Sequence, residues 1–203
     1  KKDMQNFKMS VSMGLRTTAI LIIPSSVMLY VLATPLTTLF MAGRFNADDV
    51  PLVAEVLQTW SLALTFFALM MFALRAFYSL KDTLTPALAN IGTSLIQIAG
   101  YLVLTTGIGA WVGFGLSGIP LADLIFTVLQ FFILMLLLRK KIGSFNIRSF
   151  LSVFLRMTLA SLLGGVIAHY SIQLLVPFAE GASGALIQIA VGALFGLSAS
   201  FGL

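Results

Sequence analysis

Residues 121–141, LADLIFTVLQFFILMLLLRKK, decide the fold, because here a long apolar run ends in three consecutive basic residues. With the apolar residues before it, the run reaches the roughly 20 positions that an α-helix needs to cross a hydrocarbon core of about 30 Å. A transmembrane β-strand would instead alternate apolar and polar side chains over about 10 positions. The stretch therefore predicts a membrane-spanning helix with a basic anchor at its end.

Five further apolar runs of similar length fill most of the remaining chain. The six predicted segments are Thr17–Ala42, Leu52–Tyr78, Pro86–Thr106, Val112–Leu138, Phe150–Val176 and Ala185–Leu203. Charged residues make up only 9% of the sequence, against about 25% in soluble domains, so there are too few to cover a water-facing surface. Because lipid leaves every backbone N–H and C=O to be bonded internally, the sequence predicts an all-α fold, a polytopic membrane helix bundle with six transmembrane helices.

The basic residues indicate how these helices are oriented. If the N-terminus is cytoplasmic, 11 of the 12 basic residues lie at cytoplasmic helix ends: Lys1, Lys2, Lys8, Arg16, Arg75, Lys81, Arg139, Lys140, Lys141, Arg148 and Arg156. The opposite ends keep one basic residue and four acidic ones, Arg44, Asp48, Asp49, Glu55 and Glu180. Since positive charge marks the cytoplasmic side, we expect a cytoplasmic N-terminus. Membrane anchoring also explains the net charge of +5, and no nucleic acid partner is expected.

The composition argues against most catalytic and metal chemistry. The chain has no cysteine, which excludes disulfides and thiol sites. One histidine, His169, and seven acidic residues leave little material for a metal cluster, so we expect no metal site. Neither a Ser/His/Asp set nor a carboxylate pair stands out, so an enzyme is not expected.

Several glycines have spacings that favour close helix packing. Gly113–Gly118 fits the pattern G-x-G-x-x-G, but the dinucleotide motif needs a preceding strand in a βαβ unit. Small residues that let membrane helices approach one another explain it better. The same explanation applies to Gly164-Gly165 and to Gly192 with Gly196.

Two charged residues in or beside the apolar runs are candidate functional residues. Arg16 lies where the first segment begins; it either snorkels to the headgroups or holds phosphate at the mouth of an internal cavity, since a guanidinium pairs with two phosphate oxygens at once. On the residues alone, snorkelling is favoured. Asp123 lies inside the fourth segment, where a carboxylate is costly and functional by default. It could bind Na⁺ or H⁺, pair with a basic residue, or be satisfied by neighbouring hydroxyl or glycine N–H groups.

The first segment contains two prolines, Pro24 and Pro35. Proline within a helix removes a hydrogen bond and clashes with the preceding turn, so kinks are expected. A permanently bent helix and a hinge that flexes between two states remain equally open.

Three stretches, in this order and spacing, resemble the MurJ/MviN family of lipid II flippases, within the multidrug/oligosaccharidyl-lipid/polysaccharide exporter superfamily. They are Gly14–Arg16 leading through Ile23-Pro24-Ser25 to Pro35-Leu36, then Gly43–Asp49, then Arg75–Pro86. Further along, Gly113–Gly118 and Arg139–Lys141 resemble the eleventh helix and the loop beyond it. The family has fourteen helices, in two six-helix lobes and a terminal pair, so the resemblance implies that this chain holds helices eight to thirteen.

The resemblance also implies a division of the chain and roles for its residues. Residues 1–16 would be a cytoplasmic or interfacial lead-in, 17–176 five transmembrane helices of the C-terminal transporter lobe, and 177–203 a loop and the start of an additional C-terminal transmembrane helix. Arg16 matches the family's cavity arginine on helix eight, which implies a substrate-binding role. Some members bind sodium among helices seven, eleven and twelve; Asp123 falls on the eleventh, as a candidate for coupling-ion binding or a polar cavity.

The implied function is a flippase acting by alternating access in the bacterial cytoplasmic membrane, with no cofactor beyond Na⁺ or H⁺ as coupling ion. Its substrate would be lipid II, the undecaprenyl-diphosphate-linked muropeptide of peptidoglycan synthesis. Membrane lipids and a missing N-terminal lobe of the same chain would be its other partners, and Pro24 and Pro35 its hinge. The alternatives are an exporter of another lipid-linked oligosaccharide or a drug, and a non-transporting membrane scaffold of cell-wall synthesis.

Overall fold

A computed structural model describes residues 2–40, 45–108, 111–143, 147–175 and 181–202. Within these ranges the helices are α1 Lys2–Val31, α2 Ala33–Thr38, α3 Val50–Ser79, α4 Leu84–Thr106, α5 Gly118–Ile142, α6 Ile147–Leu175 and α7 Gly181–Gly202. Two-residue strands, β1 Gly107–Ile108 and β2 Trp111–Val112, pair antiparallel between α4 and α5. All the helices except the short α2 are long and apolar enough to cross a membrane, which confirms the all-α bundle with six spanning helices.

The first helix begins earlier than its apolar run. We predicted a segment over 17–42, but α1 starts at Lys2, so the described part of 1–16 continues directly into the first span. The buried stripe of α1 also begins before the predicted segment, with Val11, Leu15 and Ala19 at every fourth position, each at most 3% exposed. Polar residues lie between these positions, so the sequence shows no continuous apolar run here. The division of the chain into lead-in and lobe stays a prediction.

The two prolines of the first segment act differently on the backbone. Pro24 lies inside the continuous helix α1. Pro35 has no N–H to donate to the carbonyl of Val31, four residues earlier, and α1 ends at Val31. After a turn at Leu32, Pro35 lies in the first turn of α2, where a missing N–H costs no intrahelical bond. The predicted irregularity at Pro35 is therefore confirmed as a helix break.

The described residues group into two compact units. Unit 1 comprises Lys1–Ile22 and Ala63–Phe154, and unit 2 comprises Ile23–Leu62 and Leu155–Leu203. In unit 1, the ring of Phe66 lies 6.1 Å from that of Phe131 and 6.2 Å from that of Phe154, which ties α3, α5 and α6 together. Helices α4 and α5 also pack along each other in this unit.

Unit 2 is held together by apolar side chains and by glycine. Met28 and Leu32 pack against Ala168 and Ile172 of α6, with side chains of α7 around them. A Cβ at Gly164 would lie 2.2 Å from Ser200 Oγ and 2.4 Å from the Gly196 carbonyl oxygen. This close approach of α6 to α7 confirms the packing role predicted for the glycines of these two helices.

Much of the outer surface is apolar. On α4, five large side chains are each more than 60% exposed: Leu84, Leu88, Ile91, Leu95 and Leu102. A surface of this kind, repeated on the other long helices, is too apolar for water and suits acyl chains. The chain is a multi-pass integral membrane protein.

Replacing Gly164 by alanine should destabilise the protein by about 1–3 kcal/mol, because the new methyl group would overlap the backbone of α7. Gly92→Ala is the matched control, since a Cβ there meets no atom within 4 Å and alanine is the better helix residue. Thermal unfolding of the two variants in detergent checks this. Equal melting temperatures for both would contradict the packing assigned to Gly164.

Candidate functional site

Arg16 is a half-buried cation in α1, within unit 1. Its Nη2 donates to the hydroxyl of Ser12, one turn earlier, at 2.9 Å, and Ser12 is itself only 4% exposed. The Nε atom of Arg16 is buried and has no hydrogen-bond partner among the described residues. A guanidinium has five N–H donors, so this one keeps unused capacity to bind an anion.

A close helix contact lies two residues from Arg16. A Cβ on Gly14 would lie 2.1 Å from the tip of the Phe72 ring, so α1 and the Phe72 side chain of α3 are in close contact here. Leu15, between Gly14 and Arg16, is fully buried.

Asp123 forms a polar group with two residues of α4. Gln97 Nε2 donates to Asp123 Oδ1 at 2.7 Å, and the Tyr101 hydroxyl donates to the same oxygen. Gln97 Nε2 also lies 2.8 Å from Tyr101 Oη. The two donors are four residues apart and so share one face of α4. Neutral donors thus satisfy the carboxylate, as one of the sequence alternatives proposed, although the donors are an amide and a phenol.

Gln97 and Tyr101 are the residues that sequence reasoning missed as partners of Asp123. Their spacing of four on α4 was visible, but nothing in the sequence gave the register of α4 against α5. A carboxylate oxygen thus lies between an amide N–H and a phenol O–H inside a membrane helix pair, which keeps Asp123 a candidate functional residue.

An ion pair lies at the turn between α3 and α4. Lys141 Nζ, at the end of α5, pairs with Asp82 Oδ2, while Asp82 Oδ1 accepts from the Thr85 backbone N–H at 3.0 Å. The hydrogen bond from Lys141, with those from Thr85, lowers the pKa of Asp82 to about 2. Lys141 was expected to act only as a topology anchor; it also ties α5 to the start of α4.

The turn itself is held in an unusual backbone conformation. Asp82 N–H donates to the Phe77 carbonyl at 3.1 Å and Lys81 N–H to the Tyr78 carbonyl at 2.9 Å, which closes the end of α3. Lys81 takes φ +57°, a position where glycine is usual.

The candidate residues fall into separate places. Arg16 and Asp123 both belong to unit 1, but their described hydrogen bonds form two distinct groups. Pro24 and Pro35 belong to unit 2. His169 Nε2 lies 3.0 Å from Gln173 Nε2, within hydrogen-bond distance. Gly43 and Arg44 of the second motif lie outside the described residues.

Comparison with known proteins gives one consistent result. Residues 1–189 match the sequence model of the family described as lipid II flippase MurJ. A lipid II flippase MurJ of Burkholderia cenocepacia is 34% identical over 120 residues, 53% of this chain and 23% of that protein. One of Thermosipho africanus is 28% identical over 193 residues, 95% of this chain and 37% of that protein. A probable lipid II flippase MurJ of Bdellovibrio bacteriovorus is 28% identical over 184 residues, 89% and 33% respectively.

Asp82 should stay ionised down to about pH 2, so the stabilising effect of its pair with Lys141 is full above about pH 4 and is lost between about pH 4 and pH 2. Lys141→Met should raise the pKa of Asp82 towards 3.8, its ordinary value. Lys140→Met removes the same charge one residue away and should leave that pKa unchanged. Carboxyl ¹³C NMR of Asp82 across this pH range measures it; an unchanged pKa in Lys141→Met would contradict the pairing.

Proposed function

This chain belongs to the lipid II flippase MurJ family, and we propose that the protein moves lipid II across the bacterial cytoplasmic membrane. The chain spans about a quarter to a third of the length of the curated relatives it matches. We expect the rest of the machinery to include an N-terminal lobe that encloses a hydrated cavity with this one and opens it to each face in turn. A polar headgroup cannot cross hydrocarbon unaided, so the protein must supply that hydrated path.

The partly satisfied guanidinium of Arg16 carries this proposal. A charged side chain in a membrane helix is costly unless paired, and Arg16 has one described hydrogen bond and a buried Nε without a partner. A lipid diphosphate offers the oxygens that an arginine fork binds two at a time. Arg16 would hold this group while the polyprenyl tail stays in the lipid.

The charge of unit 1 supports the same substrate class. Unit 1 carries ten of the twelve basic residues and three of the seven acidic ones, Asp3, Asp82 and Asp123. A surplus of positive charge raises the local concentration of anionic ligands. By the positive-inside rule it also supports an orientation in which the N-terminus and the basic helix ends face the cytoplasm.

Motion and its energy source are further parts of the proposal. Pro24 inside α1 and the break before Pro35 leave carbonyls without their usual intrahelical donors, and such positions bend at low cost. The group of Asp123, Gln97 and Tyr101 would take Na⁺ or H⁺ as coupling ion. The membrane potential is a further source, worth about 2.3 kcal/mol per charge per 100 mV. Such transport makes and breaks no covalent bond, so we expect no catalytic residues.

Arg16→Ala in the full-length protein should reduce flipping about 10- to 150-fold, the loss expected for a charge-assisted hydrogen bond of about 1.5–3 kcal/mol. Arg16→Lys should retain only part of the wild-type flipping, because the lysine ammonium lacks the planar guanidinium that binds two phosphate oxygens at once. Arg139→Ala, which removes an exposed arginine at the end of α5, is the control. The readout is lipid II exposed on the outer face of cells depleted of their own flippase, at equal protein levels.

Wild-type flipping by Arg16→Ala would remove Arg16 from the mechanism. Failure of the wild-type protein to rescue the depleted cells would instead favour transport of another lipid-linked sugar or a drug.

Asp123→Asn should abolish the response of flipping to one imposed gradient, because an amide cannot hold a proton or balance the charge of Na⁺. Flipping is measured in proteoliposomes with a sodium gradient, a pH gradient or a membrane potential, each applied alone. The comparison identifies the gradient to which the wild type responds and the variant does not. Asp48→Asn, in the exposed loop before α3, is the matched control and should respond as wild type does. An Asp123→Asn variant that responds normally to all three would exclude Asp123 as the coupling site.

A further inference from the structure

A cavity of about 680 Å³ lies within unit 1, and its lining includes neither Arg16 nor Asp123. Its walls come from α3, α4 and α5 together with the turn between α3 and α4. The volume is within the range of about 300–1,000 Å³ that small-molecule sites occupy. About half of its lining is apolar, including Ala87 and Phe126, and the remainder carries four polar side chains: Tyr78, Thr83, Asn90 and Gln130.

Gln130 is a polar residue buried in the middle of a membrane helix. It is the middle residue of α5 and is only 3% exposed. Its Nε2 donates to Asn90 Oδ1 on α4 at 2.9 Å. Within the described part of the chain, Gln130 Oε1 accepts no hydrogen bond and Asn90 Nδ2 donates none. The amide pair thus joins two helices and still leaves one acceptor and one donor unused, both on residues that line the cavity.

The other two polar side chains add neutral hydrogen-bonding groups. The hydroxyls of Tyr78 and Thr83 have no partner among the described contacts. The charged residues next to them in the turn do not line the cavity, and Asp82 is already paired with Lys141. The lining is therefore neutral, with donors and acceptors side by side.

These features narrow the ligand class. An acyl chain would leave the unused amide atoms of Gln130 and Asn90 unpaired in hydrocarbon, which is unfavourable. A phosphate would call for a cation, and no cation lines the cavity. A purely structural role in helix packing would explain the hydrogen bond between Gln130 and Asn90. It would not explain why Gln130 Oε1 and Asn90 Nδ2 have no partner, or why a cavity lies beside them. An amide ligand presents one N–H and one C=O, which match Gln130 Oε1 and Asn90 Nδ2.

We propose that this cavity binds the neutral, amide-bearing part of the substrate headgroup, either the acetamido group of a sugar or a peptide amide. This inference rests on the proposed function, which supplies a headgroup of sugar and peptide. It assigns the neutral portion of that headgroup to a site separate from the arginine that holds the diphosphate.

Saturation-transfer NMR on the full-length protein in nanodiscs tests the site with soluble probes: N-acetylglucosamine, an acetylated dipeptide, and glucose as a sugar without an amide. We expect saturation of the acetamido or peptide protons with wild type, and only background with glucose. Ala87→Phe places a ring in the cavity, on the same face of α4 as Asn90, and should weaken binding about tenfold. Ala99→Phe places the same ring on an exposed position of α4 outside the lining and should bind as wild type does.

The results distinguish a sugar acetamido group from a peptide amide as the ligand. Binding of the sugar alone, or of the dipeptide alone, supports the site and names its ligand. Equal signals for glucose and the acetylated probes, or unchanged binding in Ala87→Phe, would overturn it. Release of a bound phospholipid by Ala87→Phe, without loss of probe binding, would also overturn it and make the cavity a lipid site. Probe binding by a protein that fails to flip lipid II would support the site and reject the proposed function.

Discussion

Hydrocarbon offers no hydrogen-bond partner, and the rest of this structure depends on that constraint. Every backbone N–H and C=O inside the membrane must be bonded within the protein, so the chain forms long helices whose apolar side chains face the lipid. The six long helices and the exposed leucines and isoleucines of α4 follow directly. Each polar side chain in these helices then needs a partner in the protein, a substrate or water.

The polar side chains of unit 1 meet this need in small groups that link neighbouring helices. Asp123 is held by Gln97 and Tyr101, and Gln130 by Asn90, so two separate polar contacts join α4 to α5. Hydrogen bonds of this kind stabilise membrane bundles modestly. They also place polar atoms at two defined points between α4 and α5.

Arg16 is different, because its hydrogen bonding is incomplete. One described bond to Ser12 cannot satisfy the five N–H donors of a guanidinium. We propose that this unfilled capacity binds an anionic headgroup.

The sequence by itself determined the helical membrane architecture, the number of spans and the family, because hydropathy and the order of short motifs are written along the chain. It also singled out Arg16 and Asp123, since charge in an apolar run is visible without a structure. Helix bounds were less secure: α1 begins at Lys2 and its buried face at Val11, both before the continuous apolar run that starts at Thr17. Only the tertiary structure decided which residues meet. The pairing of Asp123 with Tyr101, of Lys141 with Asp82 and of Gln130 with Asn90 depends on the rotation and register of one helix against another, and those are set by packing between distant segments.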